Sequence, residues 1–260
     1  MSHPAYGVLR PVLETDAVVA SVLLCNNPGI MTLEGTNTWV LRGPRSDEMV
    51  VVDPGPDDDE HLGRLADLGC IPLVLISHKH GDHTDGIDKI VDATGATVRA
   101  VGSGFLRGLG GPLTDGEVIE AAGLRITVLA TPGHTADSLS FLAGDAVLTA
   151  DTVLGRGTTV IDDEDGSLTD YLESLRRLQG LGRRAVLPGH GPELDDLQAV
   201  SAMYLAHRQE RLDQVRSALR ALGEDATARQ VVEHVYTDVD EELWDAAEKS
   251  VRAQLDYLRA

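Results

Sequence analysis

The 260-residue chain is short of several things at once. Two cysteines, Cys25 and Cys70, are too few for a disulfide framework, and their spacing does not say whether they meet. Basic residues number 22 against 42 acidic ones, a formal net charge of -20. The acidic excess runs on both sides of His190, so neither part is a basic clamp and no duplex DNA partner is expected. Long apolar runs are also missing. The longest near the start, Ala17 to Cys25, falls far short of the ~20 residues that cross a bilayer. Glu14 and Asp16 stand where a secretory signal needs positive charge. The expectation is therefore a reduced, cytoplasmic protein with no membrane association.

With 42% hydrophobic, 25% charged and only 3% aromatic residues, the composition is that of a folded globular protein. The length suits one large domain, or one domain with a small appendage. Valine- and isoleucine-rich runs recur between glycine and proline punctuation at Val18 to Leu24, Met49 to Val52, Leu73 to Ile76, Leu124 to Leu129 and Ala146 to Thr149. They read as buried strands. Helical patterns lie between them at Asp58 to Leu68, Ile87 to Ala93 and Leu168 to Leu178. An α+β layered domain over residues 1–192 is the reading.

After Gly191-Pro192 the pattern turns helical, which sets residues 193–260 apart as a helical carboxyl-terminal domain. One helix ends near Gly223, a second starts at Thr227 with Gln230 three positions on, and a third at Asp238 with Glu241 three on. The acidic runs Asp57 to Asp59 and Asp162 to Asp165 are read as solvated loops, and the tail helices as covering the sandwich edge or joining a homodimer.

The sharpest signal is His78-Lys79-His80-Gly81-Asp82-His83, directly after an apolar run. Side chains alternate on extended backbone, so His78 and His80 point the same way. Gly81 permits a turn that brings Asp82 and His83 to the same hollow. Imidazole and carboxylate are ligands for a borderline cation such as zinc. Three further candidates share the same local form, a polar group at a strand end beside a glycine: His134, Asp151 and His190. The seven residues are enough to hold two ions.

This constellation resembles the metallo-β-lactamase fold superfamily, whose motif His-x-His-x-Asp-His is followed by separate His, Asp and His positions. The likeness runs from about Asn26 to His190 and implies a four-layer αββα sandwich. It also implies one ion on His78, His80 and His134, another on Asp82, His83 and His190, and Asp151 between them. The ions would be two Zn2+, with Fe or Mn as substitutes. Asp53 resembles a supporting aspartate outside the ligand set. Asn26-Asn27-Pro28, Met31 to Thr38, Gly155 to Thr159, Pro188 to Pro192 and His207-Arg208 further resemble the β-lactamase-like protein 2 subfamily. Its members are linked to cleavage of single-stranded RNA and carry a winged-helix-like tail, whose wing is expected to be missing here. The likeness offers Thr36, Asn37 and Thr158 as substrate contacts; turn formation accounts for them equally well.

What the resemblance implies is a metal-dependent hydrolase in which a bridging hydroxide, oriented by Asp82 and Asp151, attacks phosphorus or a carbonyl carbon. A true β-lactamase is disfavoured by an aspartate at position 151, and an oxygen-reducing di-iron protein by His80. Single-stranded RNA is the first expectation, so the partner is a small anionic or short single-stranded nucleic-acid substrate. A thioester in the manner of hydroxyacylglutathione hydrolase is the alternative, and a non-catalytic metal-binding interaction module the third. The only basic cluster, Arg176, Arg177, Arg183 and Arg184, reads more readily as a solvated helix end than as a phosphate path.

Overall fold

The computed structural model describes residues 6–162, 164–237, 240 and 244–259. Its first sheet runs in spatial order through β1 (Arg10–Glu14), β2 (Val19–Leu24), β3 (Asn37–Arg42), β4 (Glu48–Val52), β5 (Cys70–Leu75) and β6 (Thr97–Arg99). β1 to β4 pair antiparallel, and β4, β5 and β6 pair parallel. The second sheet holds β7 (Val118–Ala121), β8 (Leu124–Ala130), β9 (Leu139–Ala143), β10 (Ala146–Ala150) and β11 (Ala185–Pro188), antiparallel except for the pair β10 and β11.

Parallel neighbours need crossovers, and the helices supply them. α1 (Asp59–Ala66) links β4 to β5, α2 (Gly81–Thr84) and α3 (Ile87–Thr94) lie between β5 and β6, and α4 (Leu168–Gln179) lies between β10 and β11. The caps fit the sequence: the Asp58 carboxylate accepts from the His61 amide at the start of α1, and Ser167 accepts from Asp170 at the start of α4. Alternation within strands sorts the core into layers. Val22, Trp39, Leu41, Val50 and Leu75 meet Ile126, Phe141 and Leu148 between the sheets. Leu23, Val51 and Val74 turn to the opposite face, under Leu62, Leu65 and Ile90 of α1 and α3. On the outer face of the second sheet, Val147 and Val186 pack under Leu172 and Leu175 of α4. The order is helix, sheet, sheet, helix, as the resemblance implied.

Beyond β11 come α5 (Leu197–Leu222), followed by Gly223, then α6 (Ala228–Val235), opened by a Thr227/Gln230 capping box, and α7 (Trp244–Arg259). The cap predicted at Asp238 and Glu241 lies outside the described residues, as does Asp163 of the second acidic run. Among the described residues no strand follows β11, and no helix is long and apolar enough to cross a membrane. Leu197, Tyr204 and Leu212 of α5 join the same apolar cluster as α4, so packing continues across residue 193. From Val215 onward α5 packs instead with α6 and α7.

The strand ends set up everything that follows. Asp53 lies just beyond β4, His78 beyond β5, His134 beyond β8, Asp151 immediately after β10 and His190 beyond β11. Four of these five follow strands that take part in parallel pairs, whose carboxyl ends are where open α/β sheets place ligands.

Candidate metal centre

The hexapeptide leaves β5 extended, and His80 becomes the residue before the single turn of α2. The His83 amide donates to the His80 carbonyl at 3.0 Å. That turn begins at Gly81, where the sequence permits one, and swings Asp82 and His83 back beside His78. Three overlapping sets result, each with donor atoms within 4.8 Å of one another: His78, His80 and His134; His78, His83 and Asp151; Asp82, His83 and His190. Asp151 lies between the sets, with its carboxylate 3.6 Å from His83 Nε2, 3.7 Å from His134 Nε2 and 3.3 Å from His190 Nε2.

Four of the five histidines have one ring nitrogen tied back. Asp53 accepts from the Ser77 amide at 2.8 Å and from Ser77 Oγ at 2.7 Å. The hydroxyl proton being spent, Ser77 Oγ accepts from His78 Nδ1 at 2.9 Å. Asp53 Oδ2 also accepts from His83 Nδ1 at 2.9 Å. His134 Nδ1 donates to the Val160 carbonyl at 2.6 Å, and His190 Nδ1 to the Gly35 carbonyl at 3.2 Å. Each bond fixes a tautomer and leaves Nε2 as a lone pair aimed inward, the arrangement metal-ligating histidines adopt. His80 differs, presenting Nδ1, which stands 3.1 Å from His78 Nε2 and 3.0 Å from His134 Nε2. Ligands of a tetrahedral ion with bonds near ~2.0–2.1 Å stand about 3.3 Å apart.

The second set is braced from the β2–β3 turn. Thr36 Oγ1 donates to Asp82 Oδ2 at 2.9 Å, and Asn27 holds Thr36 through both its side-chain amide and its carbonyl oxygen. Asn37 Nδ2 donates to the Pro188 and Gly191 carbonyls at 3.0 and 2.8 Å, framing His190. Thr36 and Asn37 are both buried: Thr36 positions Asp82, and Asn37 frames His190 while also lining a neighbouring cavity. Thr158 is half-buried, just before Thr159, whose hydroxyl donates to the Asp151 carbonyl at 2.6 Å.

Electrostatics gives the same reading. Burial alone would raise the Asp82 carboxyl, yet His190 and His83 outweigh it and hold it down at about 2. Asp151 is driven well below the usual range by His190 and His83 against its own burial. His83 and His190 are raised by the facing carboxylates, chiefly Asp151, although burial opposes this. His78, with burial dominant, is pushed well down. The pocket thus calls for positive charge among its carboxylates.

Two further observations fit a bound cation. Asp151 Oδ1 is buried and has no hydrogen-bond partner. A Cβ on Gly189 would come 2.3 Å from that same oxygen and 3.0 Å from His83 Cε1, so only glycine leaves the space free. Asp53 and Ala150, both beside the cluster, hold left-handed backbone at φ 56° and 44°, a conformation costing about 1 kcal/mol or more at non-glycine residues. The residues present fit a pair of divalent ions.

His78, His83 and His190 are buried, whereas the His80 and Asp82 side chains are 32% and 27% exposed, so the centre opens on their side. Around that mouth the charges are matched or acidic. Lys79 is enclosed by Asp162, Glu164 and Asp165, so these three residues of the second acidic run form an ion-pair cradle, and Arg156 is paired with Glu34. Of the four-arginine cluster, Arg177, Arg183 and Arg184 face Asp115, Asp196 and Asp145. Trp39 is core, its Nε1 donating to the Pro188 carbonyl at 2.9 Å. Sequence reasoning missed Ser77 and the Val160 and Gly35 carbonyls. Serine beside a ligand histidine was the only available hint.

Residues 31–190 match the family described as the Metallo-beta-lactamase superfamily, and residues 227–260 the Beta-lactamase associated winged helix domain. A Caenorhabditis elegans protein named Beta-lactamase-like protein 2 homolog is 32% identical over 250 residues, covering 90% of this chain and 82% of its own length. An Aspergillus fumigatus protein named Atrochrysone carboxyl ACP thioesterase is 34% identical over 209 residues, covering 76% of this chain, which spans 64% of that protein. The crystal structure of a beta-lactamase domain protein from Burkholderia ambifaria superposes with a TM-score of 0.80 at 19% identity, covering 99% of this chain and 89% of the other, which is a likeness of fold.

Proposed function

Since the chain belongs to the metallo-beta-lactamase superfamily, whose members include metal-dependent hydrolases, we propose that it hydrolyses acyl thioesters at the centre described above. The observation that carries this reading is a cavity of about 520 Å³ lined by the apolar Val8, Leu9, Pro11, Val22, Leu24 and Pro192 and by Arg10, Glu34 and Arg156, whose charges are matched in the Arg10–Glu193 and Arg156–Glu34 pairs. Asn37 and Gly191, which frame His190, belong to the same wall. Ile30 and Met31 are exposed at the tip of the turn that Asn27 and Thr36 tie to Asp82. An uncharged thioester with an apolar acyl group suits these surfaces. A polyanion meets paired cations and a net charge of -20, which slows its capture. The name of the Aspergillus relative supports the same class.

His78, His80 and His134 would hold one divalent ion, and Asp82, His83 and His190 the second, with Asp151 between them. Bound there, such ions lower the pKa of water from ~15.7 towards ~7 and polarise the electrophile. Asp82, fixed by Thr36, and Asp151, whose Oδ1 has no hydrogen-bond partner in the protein, would orient the attacking water through their carboxylate oxygens. Asp53 and Ser77 keep His78 and His83 from turning. The apolar cavity holds the acyl group. The two free thiols, Cys25 and Cys70, support action in a reduced, cytoplasmic setting.

The test compares metal-loaded protein on an acyl-glutathione thioester, an acyl carrier-protein thioester and a fluorescent single-stranded RNA, each beside a His80→Ala control. Thioester hydrolysis lost in the control, rising with acyl length, is expected. RNA cleavage lost in the control, with both thioesters untouched, would overturn the reading in favour of the phosphodiester expectation.

A further inference from the structure

The pair His207-Arg208 has no part in the site so far, yet Arg208 is buried to 3% exposure on α5. Removing a guanidinium from water costs several kcal/mol unless hydrogen bonds compensate. Leucine or methionine would fill the same apolar cluster without that cost, so the side chain needs a local task to justify its charge. Arg208 Nη2 donates to the Thr159 carbonyl, and the guanidinium carbon lies 5.1 Å from the centroid of the Tyr171 ring.

The segment it grips is the one leading out of Asp151. Tyr171 Oη donates to the Thr152 carbonyl at 2.7 Å, and Tyr204 Oη exchanges hydrogen bonds with the Leu154 amide at 3.0 Å and carbonyl at 3.3 Å. Thr159 is the next anchored point. Its hydroxyl holds the Asp151 carbonyl, and the adjacent Val160 carbonyl takes the His134 Nδ1 proton. One peptide therefore separates the atom Arg208 grips from the atom that sets the direction of His134 Nε2.

We propose that Arg208 is a positioning residue of the metal centre: from the tail helix it locks the Thr159–Val160 peptide, and through it the aim of His134 and the seat of Asp151. The tail is then part of the catalytic unit. This rests on reading the seven side chains as a metal centre, and not on the identity of the substrate.

The test uses the full chain loaded with Zn2+ and dialysed against graded chelator, with bound zinc per chain as the readout. It compares wild type, Arg208→Met, Arg208→Lys and Leu212→Ala. Urea unfolding reports global stability, and hydrogen exchange of residues 152–162 in metal-free protein reports local order. Arg208→Met is expected to release one of its two ions at ten- to a hundredfold lower chelator, the usual cost of losing an outer partner of a ligand. Its exchange over 152–162 should quicken at least tenfold. Arg208→Lys, which keeps a cationic donor, should recover most of both. Leu212→Ala opens a cavity in the same cluster, so it should lower the urea midpoint while leaving zinc retention and local exchange unchanged. Wild-type zinc retention in Arg208→Met, or the same zinc loss in Leu212→Ala, overturns the proposal. Should Arg208→Met not fold, Arg208→Gln carries the same comparison. Failure of the metal reading itself would be seen separately, as wild-type protein that takes up no zinc.

Discussion

Gly189→Ala is the smallest change that strikes the centre, and its effect can be worked from distances. The added methyl would sit 2.3 Å from Asp151 Oδ1 and 3.0 Å from His83 Cε1. Contacts of this kind are comfortable at about 3.5 Å, so the carboxylate must retreat by roughly 1 Å. Gly189 cannot yield instead, because its amide donates to the Ala150 carbonyl at 2.9 Å and its carbonyl accepts from Asn37 at 2.8 Å. Metal-ligand bonds tolerate about 0.2 Å, so the displaced oxygen leaves bonding range. Overpacking costs about 1–3 kcal/mol, which a domain with a usual stability of about 5–15 kcal/mol survives. A folded protein is expected that binds one ion or fewer and loses at least about a hundredfold in kcat, the scale of a 1 Å misplacement. Metal analysis after dialysis, circular dichroism and kinetics with a thioester would show it. Gly43→Ala is the control, since its methyl would meet the Gly123 carbonyl at 2.6 Å at the opposite end of β3. It should cost stability and spare the ions. Two tightly held ions and wild-type turnover in Gly189→Ala would refute the placement of Asp151.

Other outcomes follow from the same structure. Thr36→Val should weaken metal retention ten- to a hundredfold and lower kcat with KM little changed, because the hydroxyl serves Asp82; a rise in KM alone would restore the substrate-contact role. His61, whose burial lowers its pKa to about 4, stays neutral beside Thr38 and Cys25 in the folded chain. An unfolded histidine takes up its proton near ~6.5, so this contribution to stability is whole above that pH and drains away towards pH 4, by about 3 kcal/mol in all. Urea unfolding of metal-free wild type and His61→Gln should therefore converge as pH falls, and parallel profiles would contradict this. Cys25 is buried with its thiol pushed up to about 12, while Cys70 is exposed. A chromogenic disulfide reagent should find one reactive thiol in the native chain and two after unfolding; two fast thiols would refute that burial.

The candidate ligands were legible because the chemistry clusters them: four lie within six residues, and the other three share the strand-end-plus-glycine form. The longer buried strands were legible as well, since β2, β4, β5, β8 and β10 are dominated by apolar residues, with only a residue or two such as Ser21, Pro72 or Arg125 interrupting them. β1, β6 and β7 were not, because they are three to five residues long and carry Pro11, Arg99 or Glu120. β3 hid behind its first residues, Asn37 and Thr38, which read as turn chemistry until pairing with β2 and β4 made them strand. The anchors of the histidines were invisible for a different reason. Val160 and Gly35 act through carbonyl oxygens, which every residue owns. The bracing by Tyr171 spans 19 residues of chain and that by Tyr204 and Arg208 about fifty, so no local spacing announces it.

The most direct measurement is anomalous diffraction from crystals of the zinc-loaded protein, collected on both sides of the zinc absorption edge. Two peaks per chain are predicted, one within ~2.0–2.2 Å of ligand atoms of His78, His80 and His134, the other equally close to Asp82, His83 and His190, with Asp151 reaching both. A cluster without zinc density, or a single ion enclosed by four protein ligands with no open position, would contradict the account.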